Sequence, residues 1–302
     1  MTGSVMVPSY SEFFRNPLCF ERQDEQHFER SESLSTPALL HSLCQSRDNN
    51  TMAAEGKVDL IAHDAFFRDQ KTGVLVEVGA ARPDYLSISA SYRSRGWRII
   101  AVEPNPIFCA MHRELGYDVL QYACSDKDSD NVPFFVADSH GGPYEGGFIS
   151  YESYSSLGIK GGYASEASQH KVTVTTIPVQ VRRLDTIFAQ HAPDIDEIDL
   201  LAVDVEGWEL SVMRGINLAK YRPKVVILEN LFEDASYLSF MNDVGYVFWQ
   251  HILFNDVYVR ADMKSVIPKI PKFTRERAKK WLAHIGLLEA ARRVKRICTL
   301  SR

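Results

Sequence analysis

Three stretches decide the fold: residues 74–81 read VLVEVGAA, residues 101–106 read AVEPNP, and residues 200–209 read LLAVDVEGWE. Each contains an apolar run typical of a buried strand, or the end of one, with a carboxylate at or near the end of that run. In an open α/β sheet, ligands bind at the carboxyl ends of the strands. Acids at that edge suit a ligand with hydroxyl and amine groups, so the pattern favours a nucleoside over a phosphate.

Around these stretches, apolar runs alternate with segments of helical period. The predicted strands are residues 74–78, 97–102, 118–123, 132–137, 171–182, 198–203 and 224–229. This alternation predicts an α/β fold with a doubly wound, mostly parallel sheet. Residues 246–254 and 257–260 read as a terminal hairpin, which would add an antiparallel edge. Asn105 is predicted to cap a helix whose first residue is Pro106.

The turn after the first strand argues against a dinucleotide ligand. Gly79 allows the backbone to approach a ligand closely, and Glu77 can accept hydrogen bonds at the strand end. The fingerprint G-x-G-x-x-G is absent, because Ala81 and Asp84 stand where its later glycines would fall. Asp84 also occupies the positive end of the next helix, where a pyrophosphate would bind. A nicotinamide-dependent dehydrogenase is therefore disfavoured.

Two further candidate ligand-binding positions, Glu103 and the pair Ser125 and Asp126, follow the next two predicted strands. Glu103 lies 24 residues after Gly79, near the spacing at which an acid meets ribose hydroxyls in nucleotide-binding units. We therefore expect Glu103 to bind a ribose. Ser125 and Asp126 could meet an adenine edge, or they could form a local turn with Lys127.

Taken together, the motifs VEVGA, VEPNP, ACSD, VDVEGWE and VILEN occur in this order between residues 74 and 260. The set resembles the FkbM-type methyltransferases. This resemblance implies a class I methyltransferase (Rossmann-like) fold and S-adenosylmethionine as cofactor. It also implies O-methylation of a hydroxyl on a sugar or natural-product acceptor.

The resemblance also implies roles for individual residues. Those implied to bind the cofactor are Glu77, Gly79 and Ala81 at the methionine part, Glu103 at the ribose with Pro104 and Asn105 beside it, and Ser125 and Asp126 near the adenine. In one place the chain departs from the family pattern, which commonly reads Gly-Ala-Asn-x-Gly. Pro83 stands at the last of these positions and lacks a backbone N–H. That departure motivates the alternative of a catalytically silent binding or regulatory protein on the same scaffold.

The predicted catalytic residues are Asp204, Glu206 and Glu229. Asp204 ends a buried strand, where it could orient or deprotonate an acceptor hydroxyl, and Glu229 ends the adjacent strand. Glu206 and Glu209 could instead complement the dipole of the following helix. Convergent carboxylates could hold Mg²⁺ or Ca²⁺, but their spacing does not require a metal, and none is predicted. The other candidate bases are His140, His170 and His251.

The chain divides into three predicted parts. Residues 1–57 form a polar, partly helical extension, and residues 58–262 form the methyltransferase domain. Within that domain, the glycine- and tyrosine-rich residues 138–170 are predicted to form a lid or substrate loop. Residues 263–302 form a basic amphipathic segment, which could contact a membrane surface or a protein partner or pack on the domain.

Composition excludes several classes of protein. The net charge is −5, whereas residues 269–302 alone carry +9, so the rest of the chain is strongly acidic. An acidic body argues against a nucleic-acid enzyme. The five scattered cysteines argue against a disulfide framework or a zinc site. Because the sequence also shows no secretory signal and no long apolar run, we expect a cytoplasmic protein.

Overall fold

The computed structural model describes residues 53–83, 85–138, 154–158, 162 and 173–266. All of them belong to one compact unit, residues 48–302. Several predictions lie outside the described residues: those for most of the N-terminal extension, for Asp84, for most of the 138–170 loop with His140 and His170, and for the basic C-terminal segment. None of the helices in the described part of the chain has the length and apolar character that a membrane span requires.

A six-stranded sheet forms the centre of the domain. Its strands are β1 (Val74–Val78), β2 (Arg98–Val102), β6 (Leu200–Val203), β7 (Val225–Glu229), β8 (Tyr246–Ile252) and β9 (Asn255–Arg260). They lie in the order β2-β1-β6-β7-β9-β8. The pairs β1–β2, β1–β6 and β6–β7 are parallel. β9 pairs antiparallel with both β7 and β8. The prediction of an α/β fold with a mostly parallel central sheet is confirmed.

Two apolar cores lie on opposite faces of this sheet, because neighbouring strand residues point to opposite faces. Val76 belongs to one core and Leu75 to the other. Helices contribute to both cores. They are α1 (Val58–Ala62), α2 (Ile88–Arg93), α3 (Pro106–Glu114), α4 (Leu184–His191), α5 (Glu209–Arg214), α6 (Leu218–Tyr221) and α7 (Ala235–Asp243). Asn105 caps α3 as predicted, since its side chain accepts a hydrogen bond from the Ile107 N–H at 3.0 Å.

A second, three-stranded sheet contains β3 (Ala123–Cys124), β4 (Ser129–Asp138) and β5 (Thr173–Arg182) in the order β3-β5-β4. The predicted strand over residues 118–123 is therefore wrong in extent. Leu120 makes a single bridge to Val102, after which the chain leaves the central sheet and pairs with β5. An apolar run does not reveal which sheet it will join, because strand pairing depends on tertiary contacts.

The predicted boundary at residue 57 also needs correction, because residues 53–57 pack into the domain. Ala54 is buried in the same core as Val58, and the Ala54 N–H donates to the Asp59 carboxylate at 3.1 Å. A Cβ at Gly56 would lie 3.0 Å from the Leu253 side chain. Residues 53–57 therefore pack against the β8–β9 turn and do not form part of a polar extension.

Candidate active site

The stretches 74–81 and 200–209 meet at neighbouring strand ends. Val78 of β1 pairs with Val203 of β6, and the Asp204 N–H donates to the Val78 carbonyl at 3.0 Å. Gly79 follows with φ +80°, and a Cβ there would lie 1.7 Å from the Asp204 carbonyl oxygen. The close approach that we expected Gly79 to offer a ligand is thus made by the backbone of Asp204.

Two cavities open at this edge of the sheet. Cavity A holds about 860 Å³, its open mouth included, and its walls contain the charged residues Glu55, Glu77, Arg82, Asp204, Glu206 and Glu229. Cavity B holds about 620 Å³, measured in the same way, and combines acids with the rings of Phe108, Tyr122, Phe134 and Trp208. The residues that line both cavities are Val78, Gly79, Ala81, Phe108, Asp204 and Glu206. The cavities therefore adjoin at the place where β1 meets β6.

The turn after β1 directs its backbone donors into the protein. The N–H groups of Gly79 and Ala80 donate to the Val102 carbonyl at 2.9 and 3.2 Å. The Ala81 N–H donates to Oε2 of Glu103 at 2.9 Å. A phosphate-binding turn points such groups at its ligand. This geometry supports the exclusion of a dinucleotide that the missing glycines suggested.

Pro83 is buried and belongs to the wall of neither cavity. The lack of a backbone N–H at Pro83 therefore removes no hydrogen-bond donor from either cavity wall.

Glu103 is held rigidly at the end of β2. Its Oε1 accepts a hydrogen bond from the Asn105 N–H at 2.7 Å, and its Oε2 accepts the bond from Ala81. The side chain is only 4% exposed, and desolvation raises its pKa to about 7. Each carboxylate oxygen keeps a second lone pair. Because Glu103 and Pro104 line cavity B, those lone pairs remain available for a ligand there.

Glu77 connects β1 to the following helix. Its Oε1 accepts hydrogen bonds from the backbone N–H groups of Ile88 and Ser89 at 2.8 and 3.1 Å. Burial raises the pKa of this carboxyl above its ordinary value. Glu77 thus accepts the hydrogen bonds of backbone N–H groups in the first turn of α2, which have no partner within the helix. It also forms part of the wall of cavity A.

The predicted catalytic residues Asp204, Glu206 and Glu229 form a carboxylate cluster. Val203 pairs with Leu228, so the next residues, Asp204 and Glu229, stand side by side and share a hydrogen bond. One oxygen from each of the three carboxylates lies within 4.8 Å of the others. Asp204 is exposed within cavity A. The protein packed around the cavity nevertheless desolvates it and raises its pKa to about 8, with a smaller contribution from Glu55.

Glu206 is the buried member of the cluster. It is 6% exposed and has φ +57°, a left-handed conformation that is uncommon outside glycine. Among the residues that the structure describes, none forms a hydrogen bond with its buried Oε2. Burial, followed by the charge of Asp204, raises its pKa well above the ordinary value. A strained, buried carboxylate of this kind marks a candidate functional site.

Glu209 holds the turn that carries Glu206. Its Oε1 accepts hydrogen bonds from the N–H groups of Val205 and Gly207, both at 3.0 Å, and its Oε2 accepts one from the Tyr237 hydroxyl at 2.5 Å. Glu209 is fully buried. It is therefore a positioning residue inside the fold rather than a surface charge that complements the helix dipole.

We expect Tyr237→Phe to lower the free energy of unfolding by about 1.5–3 kcal/mol, because it removes a hydrogen bond to the buried carboxylate of Glu209, and bonds to charged groups are worth more than neutral ones. The matched control is Tyr246→Phe, which removes a hydroxyl bonded to the neutral Pro223 carbonyl at 2.8 Å. That change should cost about 0.5–1.5 kcal/mol. Urea denaturation measures both variants, and an equal loss in the two would contradict the role assigned to Glu209.

Not every predicted residue reaches the cavities. Ser125 and Asp126 line neither of them: the Ser125 N–H bonds the Arg182 carbonyl, and a Cβ at Gly215 would lie 2.2 Å from the Ser125 carbonyl oxygen. The preceding residues, 122–124, line cavity B instead. His251 lies on β8, with its Nδ1 at 2.7 Å from Asp256, and also lies outside both cavities.

Sequence reasoning missed several residues of the cavity walls. In cavity A they are Glu55, Arg82, Tyr85, Ser87 and Asn255, and in cavity B they include Phe108, Tyr122, Phe134 and Trp208. Ser155, Ser156 and Leu157, which belong to the described part of the predicted lid, also line cavity B. Only the lid carried a signal in the sequence, its unusual length and glycine content.

A comparison with known proteins identifies the family. The model of the family described as "Methyltransferase FkbM domain" matches residues 77–248, more than half of the chain. The match begins at Glu77 and includes Glu103 and the whole carboxylate cluster. A search of curated proteins finds no match. The protein belongs to the FkbM methyltransferase family.

Proposed function

We propose that the protein uses S-adenosylmethionine to methylate a hydroxyl group of a sugar or natural-product acceptor. The observation that carries this proposal is the pair of adjoining cavities at the carboxyl edge of β1, β2, β6 and β7, with acids at all four strand ends. Family membership supports a methyltransferase. The cofactor and the acceptor class are our inference from the site.

The residues of cavity B suit the adenosine part of the cofactor. Glu103 offers carboxylate lone pairs to ribose hydroxyls, with a geometry fixed by two backbone donors. The aromatic side chains of Phe108, Tyr122 and Phe134 provide apolar surface for a flat base. We assign the adenine to this wall, in preference to Ser125 and Asp126.

The residues of cavity A suit the methionine part and the acceptor. A sulfonium and an ammonium group carry positive charge, and Glu55, Glu77 and Asp204 in this wall carry the opposite sign when ionised. Arg82 lies in the same wall, and its guanidinium suits the carboxylate of the methionine part. Charge complementarity therefore favours this cofactor over one with phosphates.

When bound, the cofactor would supply an electrophilic methyl group. The protein's task is then to hold an acceptor hydroxyl in line with that group and to exclude water. Asp204 is exposed at the junction of the two cavities, where it can accept a hydrogen bond from the hydroxyl that reacts. Glu229 holds the Asp204 carboxylate through their shared hydrogen bond.

Calorimetry with the full-length protein tests cofactor binding. We expect one S-adenosylmethionine site per chain, with affinity reduced at least about 10-fold in Glu103→Gln, because one of the charge-assisted bonds to ribose is weakened. The control variant is Glu114→Gln, which changes an exposed acid of α3 and should bind as wild type does. Absence of binding at millimolar cofactor would refute the proposal.

The pH dependence of the same binding provides a test without mutation. Ribose hydroxyls bind the ionised form of Glu103 more strongly, and its pKa is about 7. Affinity should therefore rise by up to about 10-fold from pH 6 to pH 8, as the carboxyl loses its proton. An affinity that falls with pH over this range would contradict the role of Glu103.

The alternative of a catalytically silent protein rested on Pro83. Since Pro83 lies outside both cavity walls, that departure from the family pattern no longer favours it. The two functions differ in one measurable product. An enzyme forms S-adenosylhomocysteine in proportion to added acceptor, whereas a silent protein only binds the cofactor.

A further inference from the structure

We propose that the carboxylate cluster, Asp204, Glu206 and Glu229, binds a divalent cation of the hard class, such as Mg²⁺, Mn²⁺ or Ca²⁺. The spacing of these residues along the chain does not require a metal. In the fold, however, adjacent parallel strands and one tight turn bring the three side chains to the same point, as a metal site requires.

The distances within the cluster suit a shared cation. One oxygen from each carboxylate lies within 4.8 Å of the other two. Oxygens that bind the same Ca²⁺ at about 2.3–2.6 Å are at most about 5 Å apart, and those around Mg²⁺ are closer still. Carboxylate oxygens without any histidine or cysteine favour magnesium, calcium or manganese over softer metals.

Glu206 provides a second, independent observation. A buried carboxylate oxygen normally has a hydrogen-bond partner, yet Oε2 of Glu206 has none among the described residues. Glu206 is 94% buried, lines both cavities and is held in a left-handed conformation. The turn that carries it is fixed by the hydrogen bonds of Glu209. The fold thus directs an unpartnered carboxylate into the cluster, as a cation site requires.

The charges around the cluster also favour a cation. Cavity A is lined by five acids, and Arg82 is the one lysine or arginine among the described residues of its wall. Glu55 and Glu77 add their charges to the field at Asp204. Like charges at such distances are tolerated only when protons or cations offset them. A divalent cation would offset two of these charges at the point where they converge.

The consequence for catalysis rests on the function proposed above. Three protein oxygens leave positions on the cation for water or for oxygens of the acceptor. An acceptor hydroxyl bound there would be held at the junction of the cavities, and the cation would favour transfer of its proton to the second oxygen of the Asp204 carboxylate or to water. The favoured acceptors are then hydroxyls with a neighbouring oxygen, such as vicinal diols, which bind a cation through two atoms.

Titration of the full-length protein with Mn²⁺, followed by electron paramagnetic resonance of the free ion, tests the site without cofactor or acceptor. We expect one Mn²⁺ per chain, displaced by Mg²⁺ or Ca²⁺. Affinity should fall at least about 10-fold in Glu206→Gln and in Glu229→Gln. The control is Asp196→Asn, an exposed acid before β6, at the opposite end of that strand from the cluster.

The outcomes of this titration test the cation site independently of the proposed function. Equal Mn²⁺ binding in wild type, Glu206→Gln and Glu229→Gln would overturn the site, as would the absence of a stoichiometric site in wild type. Thermal denaturation shows whether each variant is folded, and loss of Mn²⁺ in either folded variant supports the site. Cofactor binding is measured separately by calorimetry. A wild type that binds S-adenosylmethionine but no Mn²⁺ therefore refutes only the cation site.

Discussion

Asp204→Asn is expected to lower kcat for methyl transfer by about 10²–10⁴-fold, the usual effect of removing a group that handles the proton of the nucleophile. Asp204 is the member of the carboxylate cluster that is exposed, and it lines both cavities. Asparagine has nearly the same shape but no charge, so it neither accepts a proton nor binds a cation strongly. The loss is expected whether Asp204 acts on the hydroxyl directly or through a bound cation.

Single-turnover formation of S-adenosylhomocysteine measures this effect, with the cofactor dissociation constant determined in parallel. That constant should change far less than kcat, because the contacts proposed for ribose and adenine are in cavity B and Glu55 and Glu77 remain to face the positive groups of the cofactor in cavity A. Removal of one of several like charges should not destabilise the fold. Asp196→Asn serves as the control for a lost surface acid. Wild-type turnover by a folded Asp204→Asn variant would exclude Asp204 from catalysis.

The positions of the strand ends could be predicted from the sequence, because buried parallel strands are uninterrupted apolar runs. The strand predicted over residues 74–78 has the observed bounds of β1. Since parallel strands end at the same edge, Glu77, Glu103, Asp204 and Glu229 were expected there together, and all four line a cavity. Their roles in binding and catalysis stay predictions.

The remaining features depend on contacts between distant parts of the chain. Glu55 enters cavity A because residues 53–57 pack against the β8–β9 turn at the same edge of the sheet, which a polar composition does not reveal. Ser125 turns away because β3 joins the second sheet. The buried state of Glu206 depends on hydrogen bonds to Glu209, and no period in the sequence distinguishes that arrangement from a solvated helix start.

Gly79→Ala is expected to destabilise the protein by about 3 kcal/mol or more. Two effects add: a left-handed backbone costs a residue with a Cβ about 1–2 kcal/mol, and the new methyl group would overlap a backbone carbonyl. The overlap is severe, because the Cβ would lie 1.7 Å from the Asp204 oxygen. Backbone atoms of two hydrogen-bonded strands cannot move apart without loss of their ladder.

Gly96→Ala separates the two effects. Gly96 has the same φ of +80°, but a Cβ there would have no heavy atom within 4 Å. This variant should therefore lose only the conformational part, about 1–2 kcal/mol. Urea denaturation of both variants gives the cost of the overlap by difference, and equal losses would show that the approach of Gly79 to Asp204 is not tight.

The overlap at Gly79 also connects stability to chemistry. The atom that the new methyl group would displace belongs to Asp204, whose N–H bonds Val78 and whose side chain joins the carboxylate cluster. If Gly79→Ala folds at low temperature, the strand end must have shifted by enough to relieve the contact. A shift near 1 Å at a reacting group is expected to cost about 10²-fold in rate. A folded Gly79→Ala variant should therefore be nearly inactive, whereas Gly96→Ala should keep wild-type turnover.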